Sequence, residues 1–101
     1  MNDFEGKNAL ITGASSGIGK DMAFVMAEKG INLVLLARRE SILNEIKHDL
    51  EKKFQIKVLI IASDLSQITE YQRIHDECLN NDFSPDFLVN NAGYGTLDSF
   101  H

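Results

Sequence analysis

The alternation of strand-like and helix-like segments constrains the fold of this sequence more than any other feature. Short apolar runs rich in β-branched residues alternate with segments whose apolar residues recur at helical spacing, from 8–12 to 87–90. This alternation is typical of a parallel sheet whose strands are joined by crossover helices. The sequence therefore predicts an α/β fold with a doubly wound parallel sheet.

Two further strands are predicted at 31–36 and 58–62, which gives four strands in all. Right-handed crossovers carry the chain outward from the first strand to the third, and the last crossover returns it to the other side of the first strand. The predicted strand order is 3-2-1-4, with the first two helices on one face and the third on the other. The carboxyl ends of strands one and four would then border a crevice, which is where ligands bind in such sheets.

Three helices are predicted between the strands. The first ends at Lys29 and Gly30 and carries one apolar stripe, which consists of Ile18, Met22, Val25 and Met26. The second begins near Ser41, and the third has Ser66 as a plausible N-cap. Cys78, the only cysteine, cannot form an internal disulfide, so we expect a buried helical residue in a reducing compartment.

Composition excludes several functional classes. Ten Lys and Arg residues against fifteen Asp and Glu give a net charge of −5, and the basic residues are scattered, so we expect no nucleic-acid partner. No apolar run approaches the roughly eighteen residues of a membrane span, and the start of the chain lacks the order of a signal peptide. We therefore expect one cytoplasmic domain over residues 1–101 with no membrane partner.

A glycine-rich loop joins the first strand to the first helix. A dinucleotide pyrophosphate requires unobstructed backbone N–H groups at a helix N-terminus, where the helix dipole favours negative charge. Gly13 would make the turn out of the strand, Gly17 would let the backbone approach the phosphates, and Gly19 would let the helix pack closely. Taken alone, this spacing also fits a purely structural turn.

Three motifs share one strand-helix register: TGxxxGxG at 12–19, Asp64 after strand three, and NNAG at 90–93. Together they resemble the short-chain dehydrogenase/reductase family over essentially the whole chain, and its compact branch more than its extended one. The resemblance implies a Rossmann-like fold, a nicotinamide dinucleotide cofactor and, in a complete protein, a small-molecule carbonyl or alcohol substrate.

The resemblance also assigns cofactor-binding residues. Those around the pyrophosphate and adenosine ribose would be Gly13, Ser15, Ser16, Gly17, Ile18 and Gly19. Asp64 and the backbone of Leu65 would hold the adenine, although an acid there also suits a helix N-terminus. The ribose next to nicotinamide would be bordered by Asn91, Ala92 and Gly93. For Thr12 and Asn90, the sequence is equally compatible with a structural role and with a cofactor contact.

The end of strand two predicts which cofactor is used. NAD-binding folds place an acidic residue there for the ribose hydroxyls, whereas this chain has Ala37 followed by Arg38 and Arg39. A guanidinium group suits a 2′-phosphate, so we expect NADP(H), with Arg38 as the phosphate clamp and Ser15 assisting. Arg39 would instead start the second helix and face solvent. The alternative for this pair is an ordinary solvated charge cluster.

Catalytic residues of the family are missing from the sequence. Such enzymes use a Ser together with a YxxxK helix, but Tyr71 and Tyr94 are followed four residues later by His75 and Asp98. The three histidines share no metal spacing, so we expect no catalytic or metal residue here. We therefore expect the truncated, inactive front half of an NADP-dependent oxidoreductase; the alternative is a non-catalytic nucleotide-binding module or an inert remnant.

The fourth strand would form an edge of the sheet in such a fragment. Its apolar residues Phe87, Leu88 and Val89 would then lack the cover of a fifth strand. We expect marginal stability in isolation and self-association through this edge.

Overall fold

The computed structural model describes residues 3–63 and 68–90. Its elements alternate in the order β1 (Asn8–Thr12), α1 (Gly17–Glu28), β2 (Asn32–Ala37), α2 (Glu40–Lys53), β3 (Val58–Ala62), α3 (Ile68–Asn80) and β4 (Phe87–Asn90). All pairings are parallel, and the strand order is β3-β2-β1-β4. The fold class and the predicted strand order are confirmed. The predicted bounds of β2 and α2 are wrong by one residue, and the proposed N-cap Ser66 lies outside the described residues.

The helices lie on the two faces as predicted. Side chains alternate between the faces of a strand, and along β1 Ile11 joins the cluster beneath α1 and α2, whereas Leu10 joins the cluster beneath α3. The first cluster includes Leu43 of α2, and the second includes Ile74 and Cys78 of α3. Because both faces are covered, β2 is buried over residues 33–37, as expected for the centre of a parallel sheet.

Most of the predicted apolar stripe of α1 does not face the sheet: Met26 packs against the first cluster, but the other three residues are exposed. Ile18 is 70% exposed and Val25 is 51% exposed. The buried positions of the helix are small residues, Gly19, Ala23 and Ala27. Small side chains allow α1 to lie close to the sheet, and the larger Phe24 and Met26 pack partly buried against the same cluster. The helix ends as predicted, with Lys29 as C-cap and with Gly30 at φ +83° donating to Ala27.

The amino ends of the strands are linked by polar side chains, which we call the amino-edge network. Asn8 N–H donates to Asp86 Oδ2 at 2.9 Å, and Asn32 Nδ2 donates to Asn8 Oδ1 at 3.2 Å. Asn32 Oδ1 in turn accepts from Lys57 N–H at 2.9 Å. The network therefore connects the starts of β1, β2 and β3 with the residue before β4.

Two further features concern the surface of the described residues. No helix among them has the length and apolar character needed to cross a membrane. Within the same ranges, β4 pairs with β1 and with no other strand. Self-association through the free edge of β4 stays a prediction.

Candidate functional site

The loop between β1 and α1 turns sharply and is tied to β2. Gly13 has φ +62°, a conformation that favours glycine, and this turn takes the chain out of β1. The next residue, Ala14, is fully buried, and its N–H donates to Leu36 O at 3.0 Å. The loop is therefore fixed to the carboxyl end of the neighbouring strand.

Gly19 is required by the packing of α1 against this loop. A Cβ at position 19 would overlap the carbonyl oxygen of Gly13 and would lie 3.0 Å from Ala14 Cα. Both are backbone atoms, so a side chain could be admitted only if the loop or the helix moved. The structure thus gives Gly19 the close-packing role that the sequence predicted for it.

Ser16 is the N-cap of α1, a role that the sequence analysis missed. Its Oγ accepts from Gly19 N–H at 3.1 Å and donates to Gly13 O at 2.8 Å. A serine directly before a helical segment is the usual signal of an N-cap, and that signal was present. The hydroxyl of Ser16 consequently fixes the loop on the helix end.

The backbone around Gly17 is the most open part of the loop. Within residues 3–63 and 68–90, a Cβ at Gly17 would meet no atom within 4 Å beyond its chain neighbours and the helix backbone, and Ile18 beside it is exposed. Among the described residues, the N–H groups of Gly17 and Ile18 have no acceptor. They stand at the positive end of the twelve-residue helix α1, so this opening has the chemistry of an anion-binding site.

Arginine follows β2 at the same edge of the sheet. The strand ends at Ala37, which brings no carboxylate, and the exposed Arg38 comes next. Arg39 is also exposed and is the N-cap of α2, without a side-chain capping bond. Ser15 in the glycine loop is half-buried. The structure thus places Arg39 at the start of α2 and leaves Arg38 between β2 and that helix.

The carboxyl end of β3 carries a polar cluster that the sequence analysis also missed. Ser63 is buried, and its Oγ donates to Glu70 Oε1 at 2.9 Å. Arg73 also donates a hydrogen bond to the Glu70 carboxylate, and this bond between Arg73 and Glu70 raises the pKa of the guanidinium further above its usual value. Glu70 and Arg73 are three apart on α3, which predicts their pairing but not their contact with Ser63.

Thr12 has a structural role. It is fully buried, and its Oγ1 donates to Val89 O at 3.4 Å, which connects the ends of β1 and β4. Asn90 is the register partner of Thr12. The remaining predicted site residues lie outside the described residues: Asp64, Leu65, Asn91, Ala92 and Gly93.

The other candidate groups that the structure describes form no catalytic or metal site. Cys78 of α3 is buried in the second core cluster, and burial, with a smaller contribution from Glu77, raises the pKa of its thiol. His48 and His75 are exposed on α2 and α3, and no group of three metal-ligating side chains occurs within residues 3–63 and 68–90. Tyr94 and His101 lie outside the described residues.

Comparison with known proteins adds a family and several relatives. A family model described as "short chain dehydrogenase" matches residues 7–101. An 11-beta-hydroxysteroid dehydrogenase of Pinus massoniana is 45% identical over 93 residues, which are 92% of this chain and 26% of that protein. An NADP-dependent 3-hydroxy acid dehydrogenase of Schizosaccharomyces pombe is 43% identical over 95 residues, covering 92% of this chain and 36% of that protein.

Solved structures share the fold. L-sorbose reductase from Gluconobacter frateurii, in complex with NADPH and L-sorbose, has a TM-score of 0.85 and 38% identity, covering 91% of this chain and 35% of that chain. An NAD⁺-bound xylitol dehydrogenase has a TM-score of 0.84 and 29% identity, covering 92% and 35%. The chain spans between 26% and 36% of the length of these four proteins.

Proposed function

This chain belongs to the short-chain dehydrogenase family, as its motifs implied, and we propose that it supplies the NADP(H)-binding part of an oxidoreductase. The proposed ligand lies across the carboxyl edge of the sheet. Its pyrophosphate would bind at the glycine loop, and its adenosine would extend towards the ends of β2 and β3. Ser15, Ser16 and Ile18 would line the loop beside the three glycines.

The observation that carries this proposal is the contrast among the three loop glycines. The turn at Gly13 and the packing of α1 explain Gly13 and Gly19. Nothing in the described protein occupies the space that a Cβ at Gly17 would fill, although the two N–H groups beside it have no acceptor there. An anionic ligand at this opening accounts for the absence of a side chain, because it would need that space and those donors.

Arg38 supports a preference for the 2′-phosphate. A carboxylate at the end of β2 would bind the ribose hydroxyls of NAD(H) and repel a phosphate, but the strand ends in Ala37. A guanidinium group can instead donate two parallel hydrogen bonds to the phosphate. One similar structure contains NADPH and another contains NAD⁺, so the proposed preference rests on Arg38 rather than on family membership.

The remaining contacts are proposed from the motifs. Asp64 would accept a hydrogen bond from the adenine amino group, and the backbone of Leu65 would also hold the ring. The nicotinamide-side ribose would be bordered by Asn91, Ala92 and Gly93. In the sequence, Asp64 and Leu65 follow β3 after Ser63, and the other three residues directly follow β4; the carboxyl ends of both strands lie at the same edge of the sheet as the glycine loop.

We further propose that the catalytic groups come from polypeptide outside these 101 residues. The sequence contains no YxxxK motif, and the relatives that it matches are about three times longer. The nicotinamide ring, when bound, supplies or accepts a hydride. The residues of this chain would bind and orient the cofactor, and the partner in the reaction would be a small-molecule carbonyl or alcohol.

A titration with matched variants tests the cofactor proposal. The purified chain would be titrated with NADPH and with NADH, following nicotinamide fluorescence. We expect NADPH to bind more tightly, and we expect Arg38→Ala to weaken NADPH binding by about tenfold or more while leaving NADH almost unchanged. Arg39→Ala is the matched control, because it removes an adjacent exposed arginine. Equal losses in both variants would contradict the assignment of Arg38, and a folded chain that binds neither nucleotide would contradict the function.

A further inference from the structure

Ser63, Glu70 and Arg73, which we call the β3–α3 cluster, join the start of α3 to the carboxyl end of β3. Ser63 Oγ donates to Glu70 Oε1 at 2.9 Å, and Arg73 Nη2 lies 2.9 Å from the same oxygen. Arg73 Nη2 also donates to the carbonyl of Ala62, the last residue of β3. Two hydrogen bonds, from Ser63 to Glu70 and from Arg73 to Ala62, therefore connect the two elements on either side of residues 64–67, and the Glu70–Arg73 bond lies within α3.

The bond from Ser63 is the best shielded part of the cluster. Ser63 is 7% exposed, whereas the side chains of Glu70 and Arg73 are 22% and 42% exposed. A hydrogen bond to an ionised acceptor is stronger than a neutral one, and a buried hydroxyl that loses its acceptor is destabilising. The Glu70–Arg73 pair is closer to solvent and contributes less. Glu70 is the acceptor that Ser63 and Arg73 share, so its removal breaks the shielded bond and leaves only the bond from Arg73 to Ala62 across the two elements.

A backbone hydrogen bond connects the β3–α3 cluster to the end of β2, which precedes the proposed cofactor residue Arg38. Ser63 N–H donates to Ala37 O at 2.9 Å, and Ala37 directly precedes Arg38. From the other side, Ala14 N–H of the glycine loop donates to Leu36 O at 3.0 Å. The backbone that leads to Arg38 is thus held between the glycine loop and the end of β3.

We propose that the β3–α3 cluster positions the adenosine side of the cofactor site. Its members are positioning residues: they hold the end of β3 against the end of β2, and through it they set the backbone that carries Arg38. A binding group is effective only when neighbouring hydrogen bonds fix its geometry, so loosening this end of β3 weakens recognition of the adenosine half. The inference rests on the proposed binding of NADP(H).

The test compares variants of the cluster on two ligands. NADPH and 2′,5′-ADP share the adenosine 2′-phosphate, and only NADPH has the nicotinamide half. We expect Glu70→Ala to raise the Kd of both ligands by the same factor, about three- to tenfold. Glu70→Gln keeps an acceptor for Ser63 and should restore most of the affinity. Ser63→Ala removes only the hydroxyl and provides the test if Glu70→Ala does not fold.

The control and a second measurement separate positioning from general stability. Asn32→Ala breaks the amino-edge network, so it should lower the free energy of unfolding and leave both Kd values within about twofold. Amide hydrogen exchange of Ser63 should become faster in Glu70→Ala, because its bond to Ala37 is loosened. Unchanged Kd values in a folded cluster variant would overturn this inference alone. Failure of the unaltered chain to bind NADPH would overturn the proposed function and this inference with it.

Discussion

The two edges of the sheet are built in opposite ways. At the amino edge, the side chains of Asn8, Asn32 and Asp86 satisfy one another and the backbone of neighbouring strands. At the carboxyl edge, Ser16 and Ser63 also form hydrogen bonds, but the N–H groups of Gly17 and Ile18 have no acceptor in the described part of the chain. At the amino edge these polar groups are paired within the protein, whereas the carboxyl edge presents backbone donors at an open surface.

This contrast indicates at which edge a ligand can gain binding free energy. A polar group that is already bonded within the protein gains little from a ligand, whereas N–H groups at a helix N-terminus gain a strong acceptor from an anion. The carboxyl edge is also where parallel sheets bind ligands, at the point where the order in which successive strands join the sheet reverses, here between β1 and β4. Four variants test this contrast and the packing around it.

Gly19→Ala should have the largest effect, and it acts on the scaffold of the carboxyl edge. The new Cβ would overlap Gly13 O and crowd Ala14 Cα, and these backbone atoms can move only if the loop or α1 shifts. We therefore expect a loss of about 2–3 kcal/mol in the free energy of unfolding, even after the gain in helix propensity. Urea denaturation measures this loss. A variant as stable as the unaltered chain would show that α1 and the loop do not pack as described.

Gly17→Ala should separate binding from folding at a position two residues away. Among the described residues, no atom beyond the chain neighbours and the helix backbone lies within 4 Å of the added methyl group, so we expect unchanged or slightly higher stability. NADPH affinity should fall at least tenfold, or about 1.4 kcal/mol, because the methyl group enters the space proposed for the pyrophosphate. Denaturation and fluorescence titration on one preparation measure both. Full affinity in this variant would exclude a phosphate at Gly17.

Asn32→Ala should affect only stability. It removes two hydrogen bonds of the amino-edge network, and both are partly exposed, so we expect a loss of about 1 kcal/mol. The Kd for NADPH should stay the same, because the network lies at the opposite end of the strands from the glycine loop. A stability loss together with a changed Kd would mean that the two edges are coupled.

Cys78 should give the smallest effect, visible only in alkaline solution. Burial raises the pKa of its thiol in the folded chain, so the unfolded chain loses this proton first. The stabilisation is complete below the unfolded pKa of about 8.5, and it is lost as the pH rises through the higher folded value. Between pH 7 and 10, the free energy of unfolding of the unaltered chain should fall slightly more than that of Cys78→Ala. Urea denaturation at both pH values measures this difference, and identical pH dependence would contradict the raised pKa.

The sequence predicts the sheet well because its signals are local and repeated. Three strands, 8–12, 58–62 and 87–90, have the predicted bounds, and crossover handedness gives the strand order. The sequence does not predict that most of the apolar stripe of α1 is exposed. Helical periodicity identifies large apolar residues on one face, but it does not show that the small residues Ala23 and Ala27 form the buried face.

The candidate site is predicted less completely. The glycine roles follow from spacing and motif, and Arg38 follows from its place after β2. The contact of Ser63 with Glu70 could not be predicted, because it joins residues seven apart across the end of a strand and the start of a helix. Hydrogen bonds of this kind depend on how elements meet in three dimensions and leave no periodic signal in the sequence.

The most direct test of the contrast between the edges is an amide chemical-shift map of the ¹⁵N-labelled chain during titration with NADPH. We expect large shifts for the amides of Gly17, Ile18 and Arg38, and we expect those of Asn8 and Lys57 at the amino edge to stay in place. Saturable shifts confined to the amino edge, or no shifts in a folded chain, would contradict the assignment of the carboxyl edge as the dinucleotide site.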